Sequence, residues 1–265
     1  MKRVTLSKLQ KMKRNGERFV VLTAYDAAFA KLIDAAGVEV ILVGDSLGMV
    51  VQGHESTVAV TLEQMVYHTA MVSRGASQAL IIADMPFLSY SSNAQAISTA
   101  AALMREGGAQ MVKLEGGGVV IERVTALADA GVPVCAHLGL TPQSVYKIGG
   151  YRVQGRDPRS AQAIVADAAA LAAAGADLLV LECVPAPLAT AITEQLSIPV
   201  IGIGAGGGCD AQVLVLHDIL GLTPGTPPSF SHNFLAANGS IAAALSAYAA
   251  AVRDGSFPGA EHTFY

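Results

Sequence analysis

Short β-branched or leucine-rich runs recur along the chain at residues 19–25, 38–43, 79–83, 110–114, 132–136, 176–181 and 198–203, with residues 217–222 as a weaker eighth candidate. Runs that are apolar on both faces suit strands covered on both sides, as in a parallel sheet. The segments between them carry helix-start signals. Thr61 with Gln64 and Ser92 with Gln95 fit the capping box, and Asp157 before Pro158 fits an N-cap with proline at the first helical position. A small residue and a glycine lead into the next run at Ala36-Gly37-Val38, Gly107-Gly108-Ala109, Ala130-Gly131-Val132 and Ala174-Gly175-Ala176, where a helix must end and the chain turn. Strand and helix therefore alternate, and seven or eight such units predict an α/β fold, a closed (β/α)8 TIM barrel rather than an open sheet. The barrel is expected to span residues 1–265 as one domain. Residues 5–14, apolar at Leu6, Leu9 and Met12, predict an extra N-terminal helix on the barrel's outside or bottom.

The composition, 52% hydrophobic and 14% charged over 265 residues, excludes disorder and allows a sizeable core without disulfide support. A net charge of -4, with no basic run longer than residues 11–14, speaks against nucleic-acid binding. Three cysteines, Cys135, Cys183 and Cys209, are widely spaced and lack any Cys-x-x-Cys pair, as in a reduced, cytoplasmic protein without zinc. No membrane span and no signal peptide are expected.

In a parallel barrel the chemistry belongs at the carboxyl ends of the strands. Asp45 follows the second run, Asp84 the third, Lys113 and Glu115 end the fourth, His137 follows the fifth and Glu182 the sixth. Lys113 and Glu115 are two apart and share one face of the pleat. A single acid at a strand end often caps the next helix, but acids and bases on five successive strands point to one cavity. Asp45, Asp84 and Glu115 form a hard oxygen set suited to Mg2+, and the lack of paired histidines and cysteines argues against zinc. Such an ion would polarise a bound carbonyl or enolate, leaving Glu182, His137 or Lys113 for proton transfer. Lys113 has a rival role as a Schiff-base amine, which the neighbouring acids disfavour by holding it as an ammonium. His137 is open to three roles: metal ligand, substrate contact or core histidine.

Gly202 to Gly208 contains G-x-G-x-x-G after a strand and before a helix-like run, the context of a dinucleotide fingerprint, but at the seventh strand rather than the first and with no full βαβ unit following; the same glycines serve a tight turn or a phosphate cradle at a barrel mouth. The connections 46–60 and 140–156 are long for βα loops and suit a mobile lid or a binding edge, with His54, Tyr151 and Arg152 as candidate contacts.

Six motifs in order, Val43-Gly-Asp-Ser-Leu-Gly-Met-Val50, Ala83-Asp-Met-Pro-Phe87, Val112-Lys-Leu-Glu-Gly116, Ala136-His-Leu-Gly-Leu-Thr-Pro-Gln143, Leu181-Glu-Cys-Val-Pro185 and Ile201-Gly-Ile-Gly-Ala-Gly206, resemble the ketopantoate hydroxymethyltransferase family (3-methyl-2-oxobutanoate hydroxymethyltransferases). The similarity extends from the N-terminal helix to Phe257-Pro-Gly and Glu261-His262. The resemblance implies a Mg2+-dependent barrel of the phosphoenolpyruvate/pyruvate type in the pantothenate and coenzyme A pathway. It implies transfer of a one-carbon unit from 5,10-methylenetetrahydrofolate to α-ketoisovalerate through a Mg2+-stabilised enolate. Residue by residue it implies metal ligation by Asp45, Asp84 and Glu115, substrate contacts from Asp45, Ser46, Asp84, Lys113 and His137, and proton acceptance by Glu182. It also implies a homo-oligomer, commonly a decamer. The chain departs from the family pattern at Ala211, where glycine is usual, and at residues 226–233, which lack lysines. Two alternatives are a metal-dependent lyase or mutase acting on a 2-oxo acid without folate, and a non-catalytic barrel that binds a metabolite.

Overall fold

The computed structural model describes residues 3–223 and 225–265. Eight parallel strands close on themselves in chain order: β1 (Phe19–Thr23), β2 (Val40–Val43), β3 (Leu80–Asp84), β4 (Met111–Glu115), β5 (Val134–Gly139), β6 (Leu178–Glu182), β7 (Val200–Ile203) and β8 (Ala211–Leu214), with β8 pairing back to β1. Nearly every strand residue is buried, as expected of strands packed between a barrel interior and a helical shell. The helices are α1 (Leu6–Arg14), α2 (Ala27–Ala35), α3 (Leu47–Val50), α4 (Leu62–Gly75), α5 (Asn93–Arg105), α6 (Val120–Asp129), α7 (Val145–Ile148), α8 (Pro158–Ala173), α9 (Ala186–Gln195), α10 (Leu216–Ile219), α11 (Phe234–Asn238) and α12 (Ile241–Asp254). Thr61 and Gln64 form the expected reciprocal capping box on α4, Ser92 caps α5, and Asp157 caps α8 through the amides of Arg159 and Ser160.

The eighth strand corrects the expectation at residues 217–222, since β8 lies earlier and α10 occupies part of that run. The glycines of 202–208 explain the shift. They carry the chain from β7 to β8 through residues 204–210 without a helix, so the spacing that holds elsewhere in the barrel fails here. The G-x-G-x-x-G therefore feeds a strand and lacks the helix N-terminus that a dinucleotide pyrophosphate needs. A Cβ on Gly204 would lie 3.0 Å from Phe230 and 3.2 Å from Phe264, so its bareness lets two aromatic rings settle on the barrel rim.

The bottom of the barrel shows a repeat unseen in the run pattern. The residue before each even-numbered strand accepts a backbone N–H from the start of the preceding strand: Glu39 from Val20 (2.9 Å), Gln110 from Ile81 (3.0 Å), Asp177 from Val134 (2.9 Å) and Asp210 from Val200 (2.8 Å). Each sits two residues after a glycine, Gly37, Gly108, Gly175 or Gly208, a signal legible in the sequence once the pairing is known. Gln110 replaces an acid because its Nε2 must donate to the Gly108 carbonyl at 2.6 Å. The N-terminal segment closes this end, with Arg3 donating to Ala76 and Ala79 carbonyls and Lys13 in α1 pairing with Asp210 at 2.7 Å.

Helix α12 completes the shell. Its fully buried Tyr248 donates toward the carbonyls of Val21 and Gln212 at 2.9 and 3.1 Å, so its polar tip is satisfied while its ring packs on Phe234 and Phe257. Beyond α12 the tail climbs to the opposite rim, where the Phe264 carbonyl accepts from Ala186 N and its ring meets Phe230 edge to face. Among the described residues no helix is long and apolar enough to cross a membrane, and all three cysteines are free and buried.

Candidate active site

The carboxyl ends of the strands enclose a cavity of about 570 Å3, lined by Asp45, Ser46, Asp84, Lys113, Glu115, His137 and Glu182 among others. Strand register brings these groups together. Asp84 on β3 and Lys113 on β4 are register partners, and Lys113 Nζ lies 2.6 Å from Asp84 Oδ1. Two residues along the same face, Glu115 Oε1 is 3.7 Å from that ammonium. Glu115 is in turn the register partner of His137 on β5, whose Nδ1 stands 3.3 Å from Glu115 Oε1 and whose Nε2 stands 3.3 Å from Glu182 Oε2. Alternating charge thus runs from β3 to β6. The close approach of β5 and β6 depends on Gly139, where a Cβ would come within 2.2 Å of the Glu182 carbonyl that Leu140 N–H bonds.

The neighbours of each group explain the direction in which it is shifted. Burial disfavours the Lys113 ammonium, but Asp84, Glu115 and Asp45 outweigh it and hold the lysine well above its ordinary range. A charged, ion-paired Lys113 is a poor Schiff-base nucleophile. Burial and Lys113 push His137 down, yet Glu115 and Glu182 bring it up to about 9. Burial raises Glu115, but the charge of His137, then Lys113 and the Gln143 amide bring it below the usual carboxylate range. Asp45 goes the other way. Burial and the charges of Asp84 and Glu115 push it well above that range, only partly relieved by Lys113 and Gln143.

That uncompensated negative charge is what a cation would relieve. Asp45 and Asp84 are 3% exposed and adjacent, the Asp45 amide donating to Asp84 Oδ2 at 3.0 Å, and no described residue donates to Asp45 Oδ1. Two hard carboxylates with room for substrate oxygens suit Mg2+, which is commonly held by one or two carboxylates while keeping water. The expected three-acid ligand set is not gathered about one point: among the described residues no three His, Cys, Asp or Glu side chains converge to hold an ion. The reason is that Glu115 is already engaged, Oε1 by Lys113 and His137, Oε2 by the Gln143 amide at 3.1 Å.

Of the remaining expected residues, Ser46 Oγ meets the Tyr25 hydroxyl at 2.9 Å. Tyr151 and Arg152 line the cavity, whereas His54 is exposed and stands outside its wall. Sequence reasoning missed Gln143, which lies at the centre of the acid cluster, and Phe230 and Phe264, which line the cavity. Gln143 closes a motif singled out in the sequence, but nothing in its spacing marks it as buried. Phe264 arrives from the far end of the chain, beyond the reach of any local pattern. The 226–233 segment, which departs from the expected pattern, contributes Thr226, Pro228, Ser229 and Phe230 to the wall, while Ala211 is a buried residue of β8.

The sequence profile described as ketopantoate hydroxymethyltransferase matches residues 3–260. The chain is 61% identical over 261 residues to a 3-methyl-2-oxobutanoate hydroxymethyltransferase of Alkalilimnicola ehrlichii, covering 98% of this chain and 94% of that one. A namesake from Shewanella amazonensis is 59% identical over 264 residues, covering 100% of both chains. Among solved structures, a phosphoenolpyruvate phosphomutase of Streptomyces platensis superposes with TM-score 0.61 at 15% identity over 82% of each chain. A 2,3-dimethylmalate lyase, a member of the PEP mutase/isocitrate lyase superfamily, gives TM-score 0.59 at 18% identity over 79% of this chain and 80% of that one, a likeness of fold. The chain belongs to the ketopantoate hydroxymethyltransferase family.

Proposed function

We propose that the chain transfers a hydroxymethyl unit from 5,10-methylenetetrahydrofolate to C3 of 3-methyl-2-oxobutanoate, giving ketopantoate. The observation that carries this reading is one cavity holding an ion-paired lysine and two adjacent acids on one side and Glu182 on the other, joined through His137. Asp45 and Asp84 would hold a divalent cation, with Glu115 behind them adding charge. When bound, that ion supplies Lewis-acid polarisation of the keto-acid oxygens.

The chain's own residues do the rest. Lys113, fixed as an ammonium, donates to a substrate oxygen and favours the negative charge that builds there as the C3 proton leaves. Ser46 adds a hydroxyl donor beside it, aligned by Tyr25. Glu182 accepts the C3 proton, with His137 Nε2 3.3 Å from its carboxylate. C3 then bonds to the methylene carbon of the folate; overall, one water supplies the new hydroxyl and tetrahydrofolate leaves. Phe230 and Phe264 offer apolar surface at the mouth for the larger co-substrate, and the buried floor keeps bulk water from the carbanion.

Proton NMR of 3-methyl-2-oxobutanoate in D2O tests the assignment. We expect Mg2+-dependent exchange of the C3 proton without folate, ketopantoate only after methylenetetrahydrofolate is added, and neither with Glu182→Ala. Folded protein that gives no exchange and no ketopantoate with Mg2+ and both substrates overturns the reading. Metal-dependent C3 exchange with no ketopantoate even after methylenetetrahydrofolate is added points instead to a lyase or mutase that enolises a 2-oxo acid.

A further inference from the structure

Gln143 sits in the turn after β5 and is 5% exposed, although it is an amide on a long connection between barrel strands. Every polar atom of its side chain is used. Nε2 donates to Asp45 Oδ2 at 2.8 Å and to the Met85 carbonyl at 3.0 Å, and Oε1 accepts from the Tyr90 hydroxyl at 2.6 Å. Its backbone N–H also reaches Glu115 Oε2 at 3.1 Å. The orientation of the amide follows from its partners: the Met85 carbonyl can only accept, so the nitrogen must face it, and the oxygen is left for a donor. Tyr90 is that donor. A reversed amide would set its oxygen against Asp45 and Met85 and leave buried groups unpaired, at a cost well above that of a missing surface bond.

We propose that Gln143 is a positioning residue for the cation site, holding Asp45 by one oxygen so that the other is presented to the ion, and that Tyr90 acts through Gln143 by fixing its amide. The same turn restrains Glu115, so two of the three acids are oriented by one residue of the 140–156 connection. Tyr151, Arg152 and Val153 of that connection also line the substrate cavity. Acid geometry and the cavity wall are therefore joined by a single segment, and a change in one is felt by the other.

This inference rests on the cation reading of Asp45 and Asp84, and the test separates the two. Mn2+ binding is followed by loss of the free-ion electron paramagnetic resonance signal for wild type, Asp45→Asn, Gln143→Met, Tyr90→Phe and the Gln143→Met/Tyr90→Phe double variant, with thermal melts checking that each is folded. Wild-type binding that is lost in Asp45→Asn establishes the cation reading. Against it, Gln143→Met should raise the Mn2+ Kd by about 10–100-fold, the range seen for partners that orient metal ligands. Tyr90→Phe, which leaves Gln143 in place, should raise it less, by roughly threefold to tenfold. The double variant should match Gln143→Met alone if Tyr90, whose hydroxyl also lies 3.4 Å from the backbone N and O of Glu115, acts on Asp45 through the amide. Folded Gln143→Met with wild-type affinity, or a Tyr90→Phe effect that adds in full to it, overturns the inference while leaving the cation reading intact. A wild type that does not bind Mn2+ overturns both.

Discussion

At the bottom of the barrel Asp34, Glu39, Asp177 and Asp210 each receive backbone N–H groups, whereas at the top Asp45, Asp84, Glu115 and Glu182 crowd around one lysine and one histidine. Donors and neighbouring charges together set the behaviour of these acids. Asp34 gains from the amides of Ser77, Gln78 and Ala79, and although burial pushes it up, those bonds bring it below the usual carboxylate range. Asp177, with one amide, stays raised by burial. Asp45 has one side-chain donor and two like charges, and it is raised well above the usual range. The bottom spends its acids on strand ends that would otherwise be orphaned, and the top holds its acids in a state that a ligand must complete.

The comparison predicts opposite effects of mutation at the two ends. Glu182→Gln, at the top, should lower kcat by about 10²–10⁴-fold, the usual contribution of a proton acceptor, while the melting temperature stays within a few degrees of wild type. A variant that kept most of its activity would remove Glu182 from the chemistry and leave His137 or Lys113 as the acceptor. Asp34→Ala, at the bottom, should do the reverse. It orphans three partly buried amides and should cost about 3 kcal/mol, which for a chain of this size is a fall of roughly 6–12 °C in Tm. Its kcat at 25 °C should not change, and steady-state kinetics beside calorimetry would show whether the two ends are separable.

Asp45→Asn sharpens the contrast, because it should stabilise the cation-free protein while abolishing turnover. Removing one of three crowded negative charges relieves repulsion, and each kcal/mol relieved raises Tm by about 2–4 °C. Melting in the presence of EDTA is the measurement, and a lower Tm would mean that Asp45 is held by bonds rather than strained by charge. Asp34 gives the matching pH dependence. Its folded pKa is depressed, so its stabilisation is complete above the unfolded value of about 4 and is lost as pH falls through the folded value. Asp34→Ala should therefore flatten the acid limb of stability below about pH 4, and an unchanged limb would place that linkage elsewhere.

The top end was legible in the sequence because its chemistry is punctuated: an ionisable residue after an apolar run is conspicuous, and Asp45, Asp84, Lys113, Glu115, His137 and Glu182 all line one cavity as their positions imply. The bottom was not read: Glu39 and Asp177 fall inside the apolar runs 38–43 and 176–181, and Asp210 looks like an ordinary loop acid, until the neighbouring strand supplies each with an amide. The barrel's seam failed for a related reason. β8 is only four residues long and follows β7 without a helix, so periodicity placed the eighth strand too late. Gln143 escaped because its importance is tertiary, arising from Tyr90 on one connection and Asp45 on another.

Backbone strain divides between the ends in the same way, and it gives the smallest effect. The junctions entering the strands at the bottom use glycine where φ is positive, at Gly37, Gly108, Gly131 and Gly175. Among the described residues the non-glycine positions with positive φ are Leu88 and Cys183, both on connections leaving the top. Cys183 follows Glu182 directly, with φ at 48°, its N–H bonded to the Ile203 carbonyl at 2.9 Å and its own carbonyl to Gln154 N at 2.8 Å. Those two bonds hold the left-handed turn in place, and with it the carboxylate next door. Cys183→Ala loses the buried thiol and keeps the strain, whereas Cys183→Gly loses slightly more side chain and releases it. Glycine should therefore be the more stable of the two by about 1 kcal/mol, the reverse of its rank in a helix or strand. Denaturant unfolding of the pair isolates that difference from the shared loss of sulfur. If alanine proves the more stable, the turn beside Glu182 stores no strain, and the distinction between a relaxed bottom and a tensioned top rests on charge alone.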